Sequence, residues 1–229
     1  MNWKDDPIQQ PLYANRFGQD HLIREKIWHT ICHSYLNRFV PNNATVLEIG
    51  AGYCELIHEI KARHKICVDI NPDVIQYAGP DCEVHITDST DLSAIASDSV
   101  DVVIANNFFE HISRDNIVKT LKESNRVLQK GGKILIIQPN MRYCFREFWM
   151  FFDHITPLDH DSTKEVLSIC GFKTTYCIPR FLPYTTKSRL PKASVLIRLY
   201  LAVPLVWRVF GKQFMIIAEK VSYVYEVSE

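Results

Sequence analysis

Several features that would assign this chain to a common functional class are missing from it. The formal net charge is zero, with 26 basic and 26 acidic residues, so the composition offers no overall attraction for nucleic acid. None of the seven cysteines forms a CxxC pair and their number is odd, which argues against a zinc cluster or a disulfide framework. The first residues lack the basic-then-apolar order of a signal peptide. These absences predict reduced thiols and a cytoplasmic protein without a nucleic-acid partner.

What is present is an alternation of short apolar runs and amphipathic segments. Strands are predicted at 45–49, 65–70, 83–87, 100–105, 132–138, 172–178 and 213–220, and helices at 20–39, 53–62, 72–78, 115–129 and 161–170. Gly131 and Gly132 are expected to end the helix before the fifth strand, and Gly171 the helix before the sixth. Alternation of this kind predicts an α/β fold with a doubly wound parallel sheet and a helical insertion before the last strand.

The most informative stretch follows the first predicted strand. That strand ends in Glu48, and Gly50 and Gly52 then allow a sharp turn and close approach of a ligand to the backbone at a helix N-terminus. Asp69, at the end of the next strand, is placed to accept hydrogen bonds from ribose hydroxyls. A dinucleotide site would require glycine at position 55, where Glu55 would repel a pyrophosphate. The pattern suits a nucleoside cofactor with a cationic centre and no phosphate, as in S-adenosylmethionine.

Four ordered motifs carry a resemblance to a known family over roughly residues 44–140. They are VLEIGAG at 46–52, VDIN at 68–71, DSVDVVI at 98–104 with EHI at 110–112, and LQKGGKIL at 128–135. On these motifs the chain resembles the class I, Rossmann-like S-adenosylmethionine-dependent methyltransferases. The resemblance implies a seven-stranded, mostly parallel sheet with helices on both faces, whose last strand, 213–220, is antiparallel. Cys54 stands where the family has a third glycine, so slightly tighter packing on the methionine end of the cofactor is expected.

The resemblance also implies a set of cofactor contacts beyond the carboxyl ends of the strands. The predicted set is Glu48, Gly50, Ala51, Gly52, Asp69, Ile70, Asp88, Ser89 and Asn106, with S-adenosylhomocysteine as the product. Within it Asp69 would hold the ribose, Asp88 the adenine amino group, and Asn106 would face the sulfonium. A helix cap is the alternative role for Asp88, and a solvated strand-end acid is the alternative for Asp69.

Two histidines are candidates for a base that accepts a proton from the methyl acceptor. His111 follows the fourth strand, and His154 lies beside Asp153 in an aromatic segment after the fifth. A positioned base contributes roughly 10²–10⁴-fold to the rate of such a reaction. His160 lies closer to a helix start and is expected to be structural. A metal site from Glu110, Asp153 and these histidines is an open alternative, but no ligand spacing supports it, so no metal is predicted.

Two segments bear on the acceptor. Residues 141–160 are rich in aromatic side chains and carry Arg142 and Arg146, a combination that suits a sugar, a ring system or an isoprenoid chain with a phosphate or carboxylate. A helix packed on the sheet is the alternative for this segment. Residues 192–210 are apolar, but charged residues and a proline interrupt them too often for a membrane span. They are expected to cap the substrate crevice, to form a dimer interface, or to lie on a membrane surface with Tyr and Trp inserted.

These interpretations lead to one predicted function and two alternatives. The chain is expected to be a single methyltransferase domain over 1–229, with a helical extension at 1–43, a cofactor-binding core at 44–140, and substrate-side insertions at 141–160 and 180–211. It would O-methylate a small molecule or a glycan hydroxyl, including a lipid-linked sugar, because residues 181–213 weakly resemble methyltransferases of bacterial polysaccharide synthesis. The alternatives are a quinone or lipid-like acceptor and a non-catalytic binding protein. Monomer and homodimer both stay open, as does contact with the inner membrane surface through 192–210.

Overall fold

The described part of the chain, residues 21–184 and 193–221 of a computed structural model, contains one seven-stranded sheet flanked by helices. The strands are β1 Thr45–Ile49, β2 His64–Asp69, β3 Cys82–Ile86, β4 Val100–Asn106, β5 Leu128–Pro139, β6 Phe172–Leu182 and β7 Gln213–Lys220. The helices are α1 His21–Ser34, α2 Glu55–Glu59, α3 Val74–Ala78, α4 Arg114–Val127, α5 Met141–Phe148, α6 His160–Ile169, α7 Ser194–Ala202 and α8 Pro204–Phe210. Short 3₁₀ segments follow α1 at Leu36–Phe39 and β4 at Phe109–His111.

The strand order confirms the predicted fold class. The order is β3-β2-β1-β4-β5-β7-β6, with β1 to β5 paired in parallel and β7 antiparallel to both of its neighbours. The chain leaves β1 toward β2 on one side and later returns to β4 on the other. The carboxyl ends of β1 and β4 therefore border the crevice at the point where the strand order reverses, which is where ligands of open α/β sheets bind.

Each face of the sheet carries its own apolar core, because neighbouring strand residues point to opposite faces. Helices α1, α7 and α8 cover one face, where Ile31, Leu201 and Trp207 are buried in the same cluster as Val46 of β1. Helices α4 and α6 cover the other, where Leu121 and Leu167 are buried in the same cluster as Leu47. Apolar side chains on both faces explain the near-continuous apolar runs of the central strands.

The structure corrects several predicted boundaries. The helix expected at 20–39 ends at Ser34 and gives way to a 3₁₀ turn before Pro41. The helix expected at 53–62 is limited to Glu55–Glu59, because Cys54 before it has a left-handed φ of 57° and Ile60 after it is extended. The end of α6 before Gly171 is confirmed.

The prediction that Gly131 and Gly132 end a helix is wrong. Helix α4 ends at Val127, and Leu128 already pairs with Val100 in the sheet. The register between β4 and β5 then shifts, so that Val102 pairs with Lys133. Gly131 and Gly132 lie in the bulge of β5 between Leu128 and Lys133. The φ of Gly131 is 76°, and the Cβ of an alanine there would meet no atom within 4 Å.

Both segments that interrupt the alternation contain helices. Helix α5 lies in the aromatic segment after β5, and α7 and α8 precede β7. Pro204 begins α8 after a single residue, Val203, that follows α7, since proline is tolerated in a first turn but not inside a helix. Within the described ranges, we find no helix with the length and apolar character needed to cross a bilayer.

Candidate functional site

The glycine loop after β1 is held between β2 and the end of β4. The backbone amides of Gly50 and Ala51 both donate to the carbonyl of Val68, at 2.8 and 3.2 Å. Gly50 has a φ of 67°, and a Cβ at this position would lie 2.4 Å from Cδ2 of Phe108. Only glycine satisfies both restrictions, so the loop lies directly against Phe108, two residues after the end of β4.

Asp69 joins the end of β2 to the glycine loop. Its Oδ2 accepts from the Gly52 amide and its Oδ1 from the Asn71 amide, both at 2.8 Å. Burial raises the pKa of this carboxyl, although the backbone hydrogen bonds act in the opposite direction. A carboxylate has about four lone-pair sites, so the backbone amides of Gly52, Ile70 and Asn71 still leave acceptor capacity for a ribose hydroxyl. That role stays a prediction.

Glu48 is buried beneath the loop. Its Oε2 accepts from the amide of Ile57 at 3.1 Å, which ties β1 to helix α2. Burial raises its pKa, and the charge of Asp69 acts in the same direction. The side chain thus supports the loop from the core, and its predicted contact with the cofactor stays a prediction.

Glu55 is neutralised by helix α1. Arg24 contacts its carboxylate with Nη2 at 2.8 Å and His21 with Nδ1 at 2.7 Å, and the Arg24 and Glu55 side chains are both nearly buried. Because Arg24 offsets its negative charge, Glu55 is not expected to repel a pyrophosphate strongly. What argues against a dinucleotide is the missing glycine at this position, since a side chain now occupies it.

Cys54, the departure from the family's glycine pattern, points away from solvent. The residue is completely buried, and its Sγ lies 3.9 Å from the Sγ of Cys67 on β2. The expectation of tighter packing on the cofactor is therefore wrong, because the thiol fills the core below the loop. Its left-handed φ costs of order 1–3 kcal/mol for a non-glycine residue.

Asp88 and Ser89 follow β3 and make local contacts. The Oδ1 of Asp88 accepts from the amide and the hydroxyl of Thr90, at 2.9 and 2.8 Å, while the residue stays exposed. The hydroxyl of Ser89 is buried at 2.7 Å from that of Thr120 on α4. Asp88 is thus accessible for the predicted adenine contact, whereas the Ser89 side chain is engaged with α4.

The remaining predicted contacts lie at strand ends beside the loop. Asn106 ends β4, and its Oδ1 accepts from Nδ2 of Asn107 at 3.1 Å. Ala51 is buried in the loop, and Ile70 is an exposed apolar residue directly after β2. The structure therefore brings the strand ends of β1, β2 and β4 together, and the individual cofactor contacts stay predictions.

An aromatic cluster beside the loop escaped the sequence analysis. The rings of Tyr53 and Tyr77 lie 4.5 Å apart, and His21 lies within 6 Å of both. Arg24 stacks 5.5 Å from the Tyr53 ring. Nothing local in the sequence connects these residues, since the cluster depends on how α1 docks against the loop.

The two candidate bases meet at the end of β4. The ring centroids of His111 and His154 are 4.9 Å apart in an edge-to-face arrangement. Nδ1 of His111 lies 3.2 Å from Oδ2 of Asp153, and Nε2 lies 3.9 Å from Oε1 of the buried Glu110. Burial alone would lower the pKa of His111, but the hydrogen bond to Asp153 and the two carboxylates outweigh it and raise the pKa.

Backbone hydrogen bonds fix this pair of histidines in place. The amides of Ile155 and Thr156 donate to the carbonyl of Glu110 at 2.9 and 3.1 Å. The Thr156 hydroxyl donates to the carbonyl of Ile112 at 2.6 Å. The amide of His111 donates to the carbonyl of Phe108, the residue whose ring touches Gly50. The histidine cluster is thereby connected to the glycine loop through one residue.

Three residues of this cluster also have metal-ligating atoms. The ligand atoms of Glu110, His111 and His154 lie within 4.8 Å of one another, so the predicted absence of a metal stays a prediction. His160 lies outside the cluster, with Nδ1 3.0 Å from Nδ2 of the buried Asn140. Burial lowers the pKa of His160, which is what a neutral structural histidine requires.

The aromatic segment exposes apolar side chains next to His154. The His154 ring is buried between Phe148 and Phe151, at centroid distances of 4.6 and 5.0 Å. The more than half-exposed apolar residues around it are Phe145, Trp149, Met150, Phe152 and Ile155. Arg142 contacts Asp159 at 2.6 Å and Asp161 at 2.9 Å. Arg142 is therefore engaged in ion pairs, and its recognition of a phosphate or carboxylate stays a prediction.

Comparison with known proteins agrees with this geometry. The family profile described as "Methyltransferase domain" matches residues 47–136, which include the glycine loop and the strand ends. No curated protein sequence matches the chain significantly.

Three solved structures illustrate the shared fold. A SAM-dependent methyltransferase from Archaeoglobus fulgidus is 21% identical, with a TM-score of 0.61, over 84% of this chain and 94% of that one. A putative methyltransferase in complex with the Trm112 activator from Haloferax volcanii is 19% identical, with a TM-score of 0.66, over 93% and 98%. A geranyl diphosphate methyltransferase in complex with SAM is 14% identical, with a TM-score of 0.59, over 82% and 85%.

Proposed function

We propose that this chain, a class I S-adenosylmethionine-dependent methyltransferase, methylates a hydroxyl group of a small molecule or a glycan. One observation carries the proposal: a carboxylate-paired histidine, His111, meets a second histidine, His154, at the strand end that adjoins the glycine loop. A hydroxyl is a weak nucleophile until it loses its proton, so a pre-positioned imidazole is most useful for an oxygen acceptor.

The residues at the loop suit this cofactor. Asp69 offers carboxylate oxygens to ribose hydroxyls, and Asp88 is accessible for the adenine amino group. None of the nine residues predicted to contact the cofactor carries a positive charge, which suits a ligand that has a cationic sulfur and no phosphate. When bound, S-adenosylmethionine supplies an activated methyl group, so the protein's task is to align the acceptor and remove its proton.

The histidine cluster can perform the proton transfer. Asp153 faces Nδ1 of His111, which favours the tautomer with its proton on Nδ1 and leaves Nε2 to accept. Despite its burial, the hydrogen bond to Asp153 raises the pKa of His111, which makes its imidazole a stronger base. The acceptor proton moves to Nε2 and then to solvent, and the buried His154 ring holds the His111 ring in position from its side.

A lipid-like or quinone acceptor is the second candidate. The exposed apolar side chains around His154 favour it, because they would surround an apolar acceptor at the entrance to the histidine cluster. A glycan acceptor carried on a lipid would use the same side chains. The two candidates differ in whether the methylated product partitions into organic solvent.

The experiment begins with cofactor binding and then finds the acceptor. Calorimetry with S-adenosylmethionine is expected to show binding by the wild type and its loss in Asp69→Ala. Mass spectrometry of cell extracts incubated with the protein would then identify products that gain one methyl group. Failure to bind the cofactor at millimolar concentration would overturn the proposal.

Variants at the histidine cluster test the assigned chemistry. Asp153→Asn should keep cofactor affinity, lower turnover by roughly 10²-fold, and shift the rising limb of the pH–rate profile to lower pH, because the His111 pKa falls without the carboxylate. His64→Gln is the matched control, since His64 of β2 pairs with Glu83 of the edge strand β3. An unchanged rate and profile in Asp153→Asn would remove the cluster from the mechanism.

A further inference from the structure

Charge is distributed very unevenly along this neutral chain. No Asp or Glu occurs between Glu165 and Glu219, so all 26 acidic residues lie outside that interval. The same interval contains eight basic residues: Lys173, Arg180, Lys187, Arg189, Lys192, Arg198, Arg208 and Lys212. The zero net charge therefore conceals a strongly cationic segment, and helices α7 and α8 are its centre.

Helices α7 and α8 also expose an unusual amount of apolar surface. The exposed apolar residues are Val195, Leu196, Leu199, Val203, Leu205, Val209 and Phe210, together with the exposed Arg198 and Arg208. We call this set the α7–α8 surface. Large exposed apolar patches mark sites of interaction with proteins or membranes.

The inner side of the two helices explains why the surface stays exposed. Leu201 and Trp207 are buried in the core, and Nε1 of Trp207 donates to the carbonyl of Tyr200 at 2.7 Å. The hydroxyl of Tyr200 donates to the carbonyl of Phe181 at 2.7 Å. The expectation that Tyr and Trp insert into a membrane is therefore wrong, because Tyr200 and Trp207 anchor the helices to the rest of the fold.

We infer that the α7–α8 surface binds peripherally to an anionic lipid membrane. Aliphatic side chains flanked by arginine, with no acidic residue in the segment, have the chemistry of a helix that lies in the headgroup region. Each basic residue near an anionic leaflet strengthens binding by about fivefold. A second copy of the chain fits less well, because two such surfaces would bring only positive charges together.

Side chains next to the α7–α8 surface contact helix α5. Arg180 donates to the carbonyl of Val209 at 2.9 Å and lies 4.6 Å from the ring centroid of Tyr143 on α5. Lys212, which precedes β7, forms an ion pair with Glu147, which also lies on α5. These contacts connect the end of α8 with the helix that carries the exposed Phe145. The inference concerns membrane binding, and it goes beyond the proposed methylation.

Flotation of the full chain with lipid vesicles tests the inference. We expect the wild type to float with vesicles that contain phosphatidylglycerol, more weakly at high salt, and far less with phosphatidylcholine alone. Leu199→Glu/Leu205→Glu changes two side chains that are 59% and 72% exposed, and its vesicle affinity should fall by about tenfold or more. Arg198→Glu/Arg208→Glu should show a similar loss without a change in the apolar residues.

Ile169→Glu is the matched control. Ile169 is 63% exposed at the end of α6, and α6 covers the opposite face of the sheet, so this variant should float like the wild type. Thermal unfolding of each variant shows that the fold is kept. Calorimetry with S-adenosylmethionine separates the outcomes, since vesicle binding can fail in a protein that still binds its cofactor.

Two results would overturn the inference. One is a wild type that does not float with anionic vesicles, or a Leu199→Glu/Leu205→Glu variant that floats equally well. The other is light scattering that shows a wild-type dimer converted to a monomer by the same variant while vesicle binding is absent. That second result would assign the α7–α8 surface to a contact between two copies of the chain.

Discussion

Replacement of Gly50 by alanine tests how the glycine loop and the end of β4 fit together. The added Cβ would lie 2.4 Å from Cδ2 of Phe108, and the residue would keep a φ of 67°. The left-handed conformation costs about 1–2 kcal/mol for an alanine. Forcing a methyl group against a packed ring costs about 1–3 kcal/mol more. We therefore expect Gly50→Ala to lower the free energy of unfolding by about 2–5 kcal/mol.

Gly131 provides the matched control. Its φ is 76°, but an added Cβ would meet nothing within 4 Å, so Gly131→Ala carries only the conformational cost of about 1–2 kcal/mol. The difference between the two variants isolates the contact with Phe108. In a chain of this size about 1 kcal/mol corresponds to roughly 2–4 °C in Tm, so the two midpoints should be resolved by calorimetry.

Urea unfolding and cofactor titration provide the assay. Gly50→Ala should weaken S-adenosylmethionine binding as well as stability, whereas Gly131→Ala should leave binding unchanged. Adding Phe108→Leu to Gly50→Ala should recover part of the loss, with a coupling free energy of about 1 kcal/mol or more. If Gly50→Ala is no more destabilising than Gly131→Ala, the close approach of Phe108 to the loop is incorrect.

Three further predictions concern stability. Arg24→Ala should lower the free energy of unfolding in urea by about 3 kcal/mol, because the nearly buried Glu55 loses its arginine partner. The double variant Arg24→Met/Glu55→Leu should recover most of that loss. If the single and double variants lose the same free energy, the buried ion pair does not have this role. Trp207→Ala should lower the free energy of unfolding by about 3–5 kcal/mol, because its side chain is buried. Leu205→Ala should lower it by less than about 0.5 kcal/mol, because Leu205 is 72% exposed. Burial would raise the pKa of Asp159, but the Ser162 amide and Arg142 outweigh it and lower the pKa to about 2. Asp159→Ala should thus lower the free energy of unfolding by about 2 kcal/mol near neutral pH. This loss should become smaller below pH 4, where the carboxyl of the unfolded chain is protonated. A loss that does not change with pH would contradict the prediction.

Features that depend on nearby residues were predictable from the sequence. The run before Glu48 has the apolar character of a strand covered on both faces, and Gly50 and Gly52 mark the turn after it. Asp69 closes the next strand, and its contact with the loop follows from parallel pairing of β1 with β2. The strand order and the antiparallel last strand then followed from the family resemblance.

Contacts between distant segments were not predictable. Arg24 and Glu55 are separated by 31 residues, and nothing in the local pattern of either pairs them. His111 and Asp153 are 42 positions apart and meet because the amides of Ile155 and Thr156 dock on the carbonyl of Glu110. The bulge that takes Gly131 into β5 likewise depends on pairing with β4 rather than on helix-ending chemistry.

By itself, the sequence determined the α/β class, the glycine loop and a nucleoside cofactor, because strand periodicity and glycine turns are properties of a few consecutive residues. Only the tertiary structure decided that His111 and His154 share one cluster, that Cys54 faces the core, and that Trp207 is buried while Leu205 is exposed. Which side of a helix or loop meets the core depends on packing against segments far away in the chain, and this packing is set by the whole fold.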